Sequence, residues 1–254
     1  MQDLDTFRLN GRVALVTGSA RGLGATMAVA LAQAGADVAV TDRVDPGDTA
    51  REIASTSRAR VLSLVADLAD RQASDGLVGS VLDQLGRLDI LVNNAGIIRR
   101  MPAADVADEE WDRVIEVNQT AVFRLCRAAG RHMLARGSGK IINIASLLSF
   151  QGGITVPSYA AAKGAVAQIT KALANEWAGK GINVNAIAPG YMRTENTRPL
   201  VEDAVRSRQI LDRIPAGRWG EPRDLAGAVV FLASAASDYV NGHVLVVDGG
   251  WMAR

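Results

Sequence analysis

Cysteine is nearly missing from this chain: Cys126 is the single one among 254 residues, which excludes an internal disulfide. Its setting, AVFRLCRAAG, has helical spacing, and a small apolar thiol there reads as core rather than as a nucleophile. Histidine is almost as scarce. His132 and His243 have no cysteine or carboxylate companions at ligand spacing, so no metal site is expected. Aromatic residues make up only 4%, and no apolar run approaches the length of a membrane span. The opening MQDLDTFRLN is acidic and polar, without the basic and apolar regions of a signal peptide, so a cytoplasmic protein is expected. Lysine is rare as well, 4 against 24 arginines, yet the arginines are scattered. With 28 basic and 27 acidic residues the net charge is +1, and no nucleic acid or membrane partner is implied. There is no linker, repeat or low-complexity tract. A 48% apolar chain of this length fits one α/β domain with a full core.

What is present is an alternation of short apolar strands and helical segments. Residues 12–17 (RVALVT) read as a buried parallel strand. The glycine-rich turn TGSARGLG follows, and then a helical run. A turn of this kind between strand and helix lets the backbone approach a pyrophosphate and aims helix N-terminal N–H groups at it. Gly18, Arg21, Gly22, Leu23 and Gly24 are therefore candidate dinucleotide contacts. The second strand, 37–42 (DVAVTD), ends on Asp42, placed where a carboxylate accepts hydrogen bonds from the adenosine ribose. Asp42 should repel a 2′-phosphate and favour NAD over NADP, while Arg21 and Arg43 are cations that could serve that phosphate. Further strands are expected at 60–65, ending near Asp67 and Leu68, at 88–92, running into Asn94-Ala95-Gly96, at KIINIA, at 181–188 and at 243–247. A helix is expected from about 222 to 233.

The stretch from Ser146 to Lys163 carries the chemistry. Tyr159 and Lys163 are four apart in an Ala-rich run, so they share one helix face. An ammonium one turn from a phenol favours the phenolate and should bring its pKa down toward the working range. Ser146 follows a buried strand, at the sheet end where open α/β folds hold ligands. Three tyrosines and four lysines make a chance Tyr-x-x-x-Lys about a one-in-twenty event, so the spacing needs company. That company is the rest of the chain.

Taken together, TGxxxGxG, the strand-two acid, the mid-chain Asp67, NNAG, Ser146 and YxxxK resemble the short-chain dehydrogenase/reductase family over nearly the whole length. The resemblance implies a Rossmann-type doubly wound parallel sheet of about seven strands in a single α/β domain. It implies a catalytic tetrad of Asn118, Ser146, Tyr159 and Lys163, with Asn118 holding a relay water and Lys163 also contacting the nicotinamide ribose. Pro189, Gly190, Met192 and Thr194 resemble the family turn that holds the carboxamide. Residues 191–215, polar and weakly periodic, would form a substrate lid. A homotetramer is implied, and the apolar AVVFLA segment could serve either an oligomer axis or the monomer's own core.

Several stretches, among them NNAGIIRR, IINIASLLSFQGGITVPSY and ILDRIPAGRWGEP, resemble the members that act on keto-deoxy sugar acids with NAD. Arg99, Arg100, Gln151 and Arg193, with Ser146 and Tyr159, are then candidate substrate contacts, since arginine grips a carboxylate bidentately. The Arg99–Arg100 pair is the favoured anchor. The competing readings are a gluconate, polyol or 3-oxoacyl reductase on the same scaffold, and a dinucleotide-binding regulator without turnover.

Overall fold

In the computed structural model, which describes residues 4–254, the first strand β1 (Val13–Thr17) is buried along its whole length, with no accessible face. Its β-branched and apolar residues fit that position, because a central parallel strand is covered on both sides by helices. Around it lie β2 (Asp37–Asp42), β3 (Val61–Val65), β4 (Ile90–Asn93), β5 (Gly139–Ile144), β6 (Ile182–Pro189) and β7 (Val244–Val247). They form one parallel sheet in the order β3-β2-β1-β4-β5-β6-β7. The order reverses between β1 and β4, so a crevice opens beyond their carboxyl ends.

The helices connecting the strands divide into two layers. On one side α1 (Gly22–Gln33) and α9 (Ala226–Ala233) bury Met27, Leu31, Val229 and Leu232 against Val16, Val40 and Ile142. The face of α9 that carries AVVFLA thus packs largely into the monomer's own core. On the other side α3 (Arg71–Leu85), α5 (Ala121–Arg136) and α6 (Pro157–Trp177) cover Leu15, Leu91 and Ile141. Local chemistry sets their ends. The Asp70 carboxylate accepts the Gln72 N–H at 2.8 Å and starts α3, and Gly86, at φ 81°, stops it in a left-handed turn. Proline at the first position of α6 uses a site whose N–H has no helical partner.

The expected strands all form, with shifts at their ends. Strand β4 begins at Ile90; just before it Asp89 keeps main-chain bonds to Val13 and Lys140, both at 2.9 Å, while its carboxylate accepts the Val13 N–H at 2.9 Å and two bonds from Arg87 at 2.7 Å. The helix expected over 222–233 is instead a 3₁₀ turn, Pro222–Leu225, followed by α9. Asp224 tightens that turn by accepting the Glu221 N–H at 2.8 Å while pairing with Arg218. Residues 195–215 are more ordered than their polar sequence suggested. They hold α7 (Arg198–Glu202) and α8 (Ala204–Leu211), the latter capped by Asp203, which accepts the N–H groups of Val205 and Arg206.

Candidate active site

All the candidate cofactor, catalytic and substrate residues named from the sequence, except Asn118, line one cleft of about 1410 Å³ at the carboxyl ends of the strands. At its β1–β2 end, helix α1 starts on Gly22 with no side chain capping its N–H groups and no acid in its first turn. Gly22 sits at φ +61°, and nothing lies within 4 Å of where a Cβ would stand, so the turn is open toward the cleft. Gly24 is the opposite case. A Cβ there would lie 2.1 Å from the Gly18 carbonyl oxygen, so only glycine permits this close turn. These free N–H groups and the bare backbone fit a dinucleotide pyrophosphate. Asn94 braces the turn by donating to the carbonyls of Thr17 and Gly18, both at 2.9 Å. The Thr17 hydroxyl accepts the N–H groups of Asn94 and Ala95 at 3.1 Å. In the sequence Thr17 stood only as the first residue of the TGxxxGxG pattern, with no role assigned to its hydroxyl.

Asp42 accepts the Arg43 N–H at 2.7 Å and the Ala20 N–H at 3.2 Å, which aims its carboxylate across the β1–α1 turn. Asp67 accepts the Ala69 N–H at 2.9 Å beside it.

At the centre, Ser146 leaves β5 and caps a short 3₁₀ turn, its Oγ accepting the Leu148 N–H at 3.2 Å. Lys163 is buried within α6 and donates to the Ile144 carbonyl at 2.5 Å. Its Nζ stands over the Tyr159 ring, 5.6 Å from the centroid. Burial lowers the Lys163 pKa to about 8. The expectation for Tyr159 is corrected here. Burial raises its phenol above the ordinary value, with the Ser146 hydroxyl and then the Arg100 charge pulling back. Lys163 is not among the groups that lower it: burial disfavours the charge of its ammonium, which stands 5.6 Å from the ring centroid.

Asn118 lies behind the cleft wall. Its side chain is fully buried and spans the backbone of Ile97: Nδ2 donates to the Ile97 carbonyl and Oδ1 accepts the Ile97 N–H, both at 2.8 Å. It sits in a π-helical turn, Glu116–Thr120, inserted between α4 (Asp108–Ile115) and α5. Such insertions often mark functional positions, because they break the regular i−4 bonding. With its amide committed to Ile97, the side chain shapes the loop after β4 and does not itself enter the cleft.

The arginines separate at the far end. Arg99 pairs with Glu110 at 2.8 Å, and Arg193 with Glu221 at 3.4 Å. Arg100 has no carboxylate partner among the described residues. It donates to the Asn196 carbonyl at 3.1 Å, and its charge reaches Tyr159. Gln151 accepts a bond from Trp251 Nε1 at 3.4 Å, which joins the loop after β5 to the C-terminal turn. Tyr191 packs on Trp251 and Trp219, at 4.6 and 5.7 Å between ring centroids. Among the described residues, no group of three or more His, Cys, Asp or Glu could hold a metal ion, and no helix is long and apolar enough to cross a membrane.

A family model described as enoyl-(acyl carrier protein) reductase matches residues 18–252. The chain belongs to the short-chain dehydrogenase/reductase family. It is therefore an oxidoreductase that uses a nicotinamide cofactor. Among relatives in this family, it is 55% identical to a 2-dehydro-3-deoxy-D-gluconate 5-dehydrogenase of Dickeya dadantii, with 99% of each chain covered. It is 43% identical to a 5-keto-D-gluconate 5-reductase of Escherichia coli K12, with 98% of each covered. A crystal structure of a gluconate 5-dehydrogenase from Burkholderia cenocepacia in complex with NADP and tartrate superposes with a TM-score of 0.93 at 45% identity, covering 99% of both chains.

Proposed function

We propose that the protein interconverts a hydroxyl and a ketone on a keto-deoxy sugar acid, as a 2-dehydro-3-deoxy-D-gluconate 5-dehydrogenase. The observation that carries this reading is one cleft in which Ser146, Tyr159 and Lys163 share space with Arg100, a cation that no carboxylate among the described residues neutralises. The higher identity to the 2-dehydro-3-deoxy-D-gluconate enzyme than to the 5-keto-gluconate reductase supports the same substrate class.

Each residue has a chemical task. The glycine turn would hold a dinucleotide by its pyrophosphate, and the nicotinamide of that cofactor would supply or accept the hydride. Ser146 accepts from Leu148, so its one hydrogen serves the Tyr159 phenol and can pass to the substrate's carbonyl oxygen once substrate is bound. Tyr159 gives a proton to that oxygen in reduction and takes it back in oxidation. Lys163 serves the nicotinamide ribose, and its ammonium stands over the Tyr159 ring. Asn118 supports this arrangement from behind through Ile97. Arg100 holds the substrate carboxylate away from the reacting carbon. Residues 191–215, with α7 and α8, act as the substrate lid, and the Arg100 bond to Asn196 ties the anchor to it.

NAD is the favoured cofactor, because Asp42 presents a carboxylate to the adenosine ribose. A second reading, NADP, is supported by Arg21 and Arg43 beside that site and by the NADP in the Burkholderia structure. The protein is read as a cytoplasmic homotetramer. Trp111 and Phe123, on α4 and α5, expose large apolar side chains that a second copy could cover.

Steady-state assays of 2-dehydro-3-deoxy-D-gluconate, D-gluconate and a neutral polyol, each with NAD and NADP, test this function. The expected outcome is highest kcat/KM for the keto-deoxy acid with NAD. Arg100→Ala should raise KM for the acid about ten- to a hundredfold, the loss of a charge-assisted pair, and leave KM for the polyol unchanged. Arg99→Ala should do much less, because Glu110 already holds that side chain. Equal losses on acid and polyol would defeat the anchor. Preference for NADP would mean that Arg21 or Arg43 outweighs Asp42.

A further inference from the structure

The turn that presents Ser146 contains a second serine. The Ser149 hydroxyl donates to the main-chain carbonyl of Lys163 at 2.6 Å and accepts the Ser146 N–H at 3.3 Å. One side chain therefore joins the backbones of two active-site residues from different elements. Lys163 lies inside α6, where carbonyls already accept from the N–H four residues on. The helix has no need of a second donor there, so the bond is better understood as fixing the turn against the helix.

The bonds also order the hydrogens. A hydroxyl has one hydrogen and two acceptor sites. The hydrogen of Ser149 is committed to Lys163, so toward Ser146 it only accepts. Ser146 Oγ accepts from Leu148, and its own hydrogen is directed to the cleft side, where it stabilises the Tyr159 phenolate. Loss of Ser149 would free the Ser146 N–H and let the turn slide against α6, where Tyr159 and Lys163 sit.

We propose that Ser149 is a positioning residue for hydride transfer, holding the Ser146 hydroxyl in register with Tyr159 and Lys163. This rests on the catalytic roles proposed above for those three residues. A residue that only capped the short turn would affect stability without touching the proton chemistry.

The test compares wild type, Ser149→Ala, Ser149→Thr and Ser146→Ala in alcohol oxidation across pH, with NADH binding measured alongside. Ser149→Ala should lower kcat about 10–100-fold, the cost of a small misplacement of reacting groups, with NADH affinity unchanged. The rising limb of its pH profile should move upward. Oxidation needs the phenolate, and Ser146 is one of the groups, with Arg100, that pull the Tyr159 phenol down against burial. Ser149→Thr, which keeps the hydroxyl, should restore most of the rate. Wild-type kcat and pH profile in Ser149→Ala would overturn the proposal, and so would an equal loss in Ser149→Thr. If the alanine variant fails to bind NADH, Ser149→Cys, a poor donor of similar size, is read in its place against the same outcomes. Ser146→Ala separates the two levels: wild-type turnover there sinks the site assignment itself, whereas an inactive Ser146→Ala beside an unaffected Ser149→Ala sinks only the positioning role.

Discussion

Lys163 shows what the site costs at the scale of a residue. Its ammonium is buried against one carbonyl, and its pKa falls to about 8 from the ordinary 10.5. Between those values the unfolded chain binds the proton and the folded chain does not, so stability rises with pH across that window. Below about 8 the penalty is fully present, roughly 3 kcal/mol for a shift of this size. Above 10.5 it is gone. Lys163→Met should therefore raise the melting temperature at neutral pH and show a smaller gain as pH climbs past 8, while losing turnover. A variant that melts lower than wild type at pH 7 would mean that the bond to Ile144 outweighs burial. This side chain also marks the limit of sequence reading. The four-residue spacing of Tyr159 and Lys163 was legible because a helix fixes it. The direction of the Tyr159 shift was not, because burial depends on everything that folds around it. The arginines repeat the lesson: Arg99, Arg100 and Arg193 look alike in sequence, and only the fold brings Glu110 and Glu221 to two of them.

Among the elements, the β1–α1 turn was the most legible, since its glycines are adjacent in sequence and their purpose is local. Strand order and the crevice followed from the alternation of strands and helices. The two short helices at 198–211 and the π-helical turn at 116–120 were not legible. Of the first, α8 is capped by a residue, Asp203, hidden in a polar stretch and α7 has no side-chain cap, and the second is a five-residue turn set within a continuous helical pattern. The turn invites a direct prediction. In Gly24→Ala the new Cβ would meet the Gly18 carbonyl at 2.1 Å and Asn94 Nδ2 at 2.5 Å, so the cradle must shift. Overpacking of this kind costs about 1–3 kcal/mol. NADH should protect the wild type against thermal unfolding and fail to protect Gly24→Ala. Undiminished protection would place the pyrophosphate elsewhere.

For the whole molecule, the layered sheet supplies one crevice, and the family supplies the hydride chemistry. The outer faces bear on assembly. Phe123 on α5 is 41% exposed with Arg127 stacked on it at 5.7 Å. Phe123→Asp should convert the proposed tetramer to smaller species in sedimentation without loss of fold, and an unchanged profile would remove α5 from the interface. The central claim is that Tyr159 moves the proton that accompanies hydride transfer on the sugar acid. Its most direct test is Tyr159→Phe, which keeps the ring and removes only the hydroxyl, assayed for oxidation of 2-dehydro-3-deoxy-D-gluconate with NADH binding measured in parallel. NADH affinity should match that of the wild type, and the rate should be at least about 10²-fold lower at every pH, as befits a lost general acid–base. A variant that keeps more than about a hundredth of the wild-type rate on that substrate would contradict it.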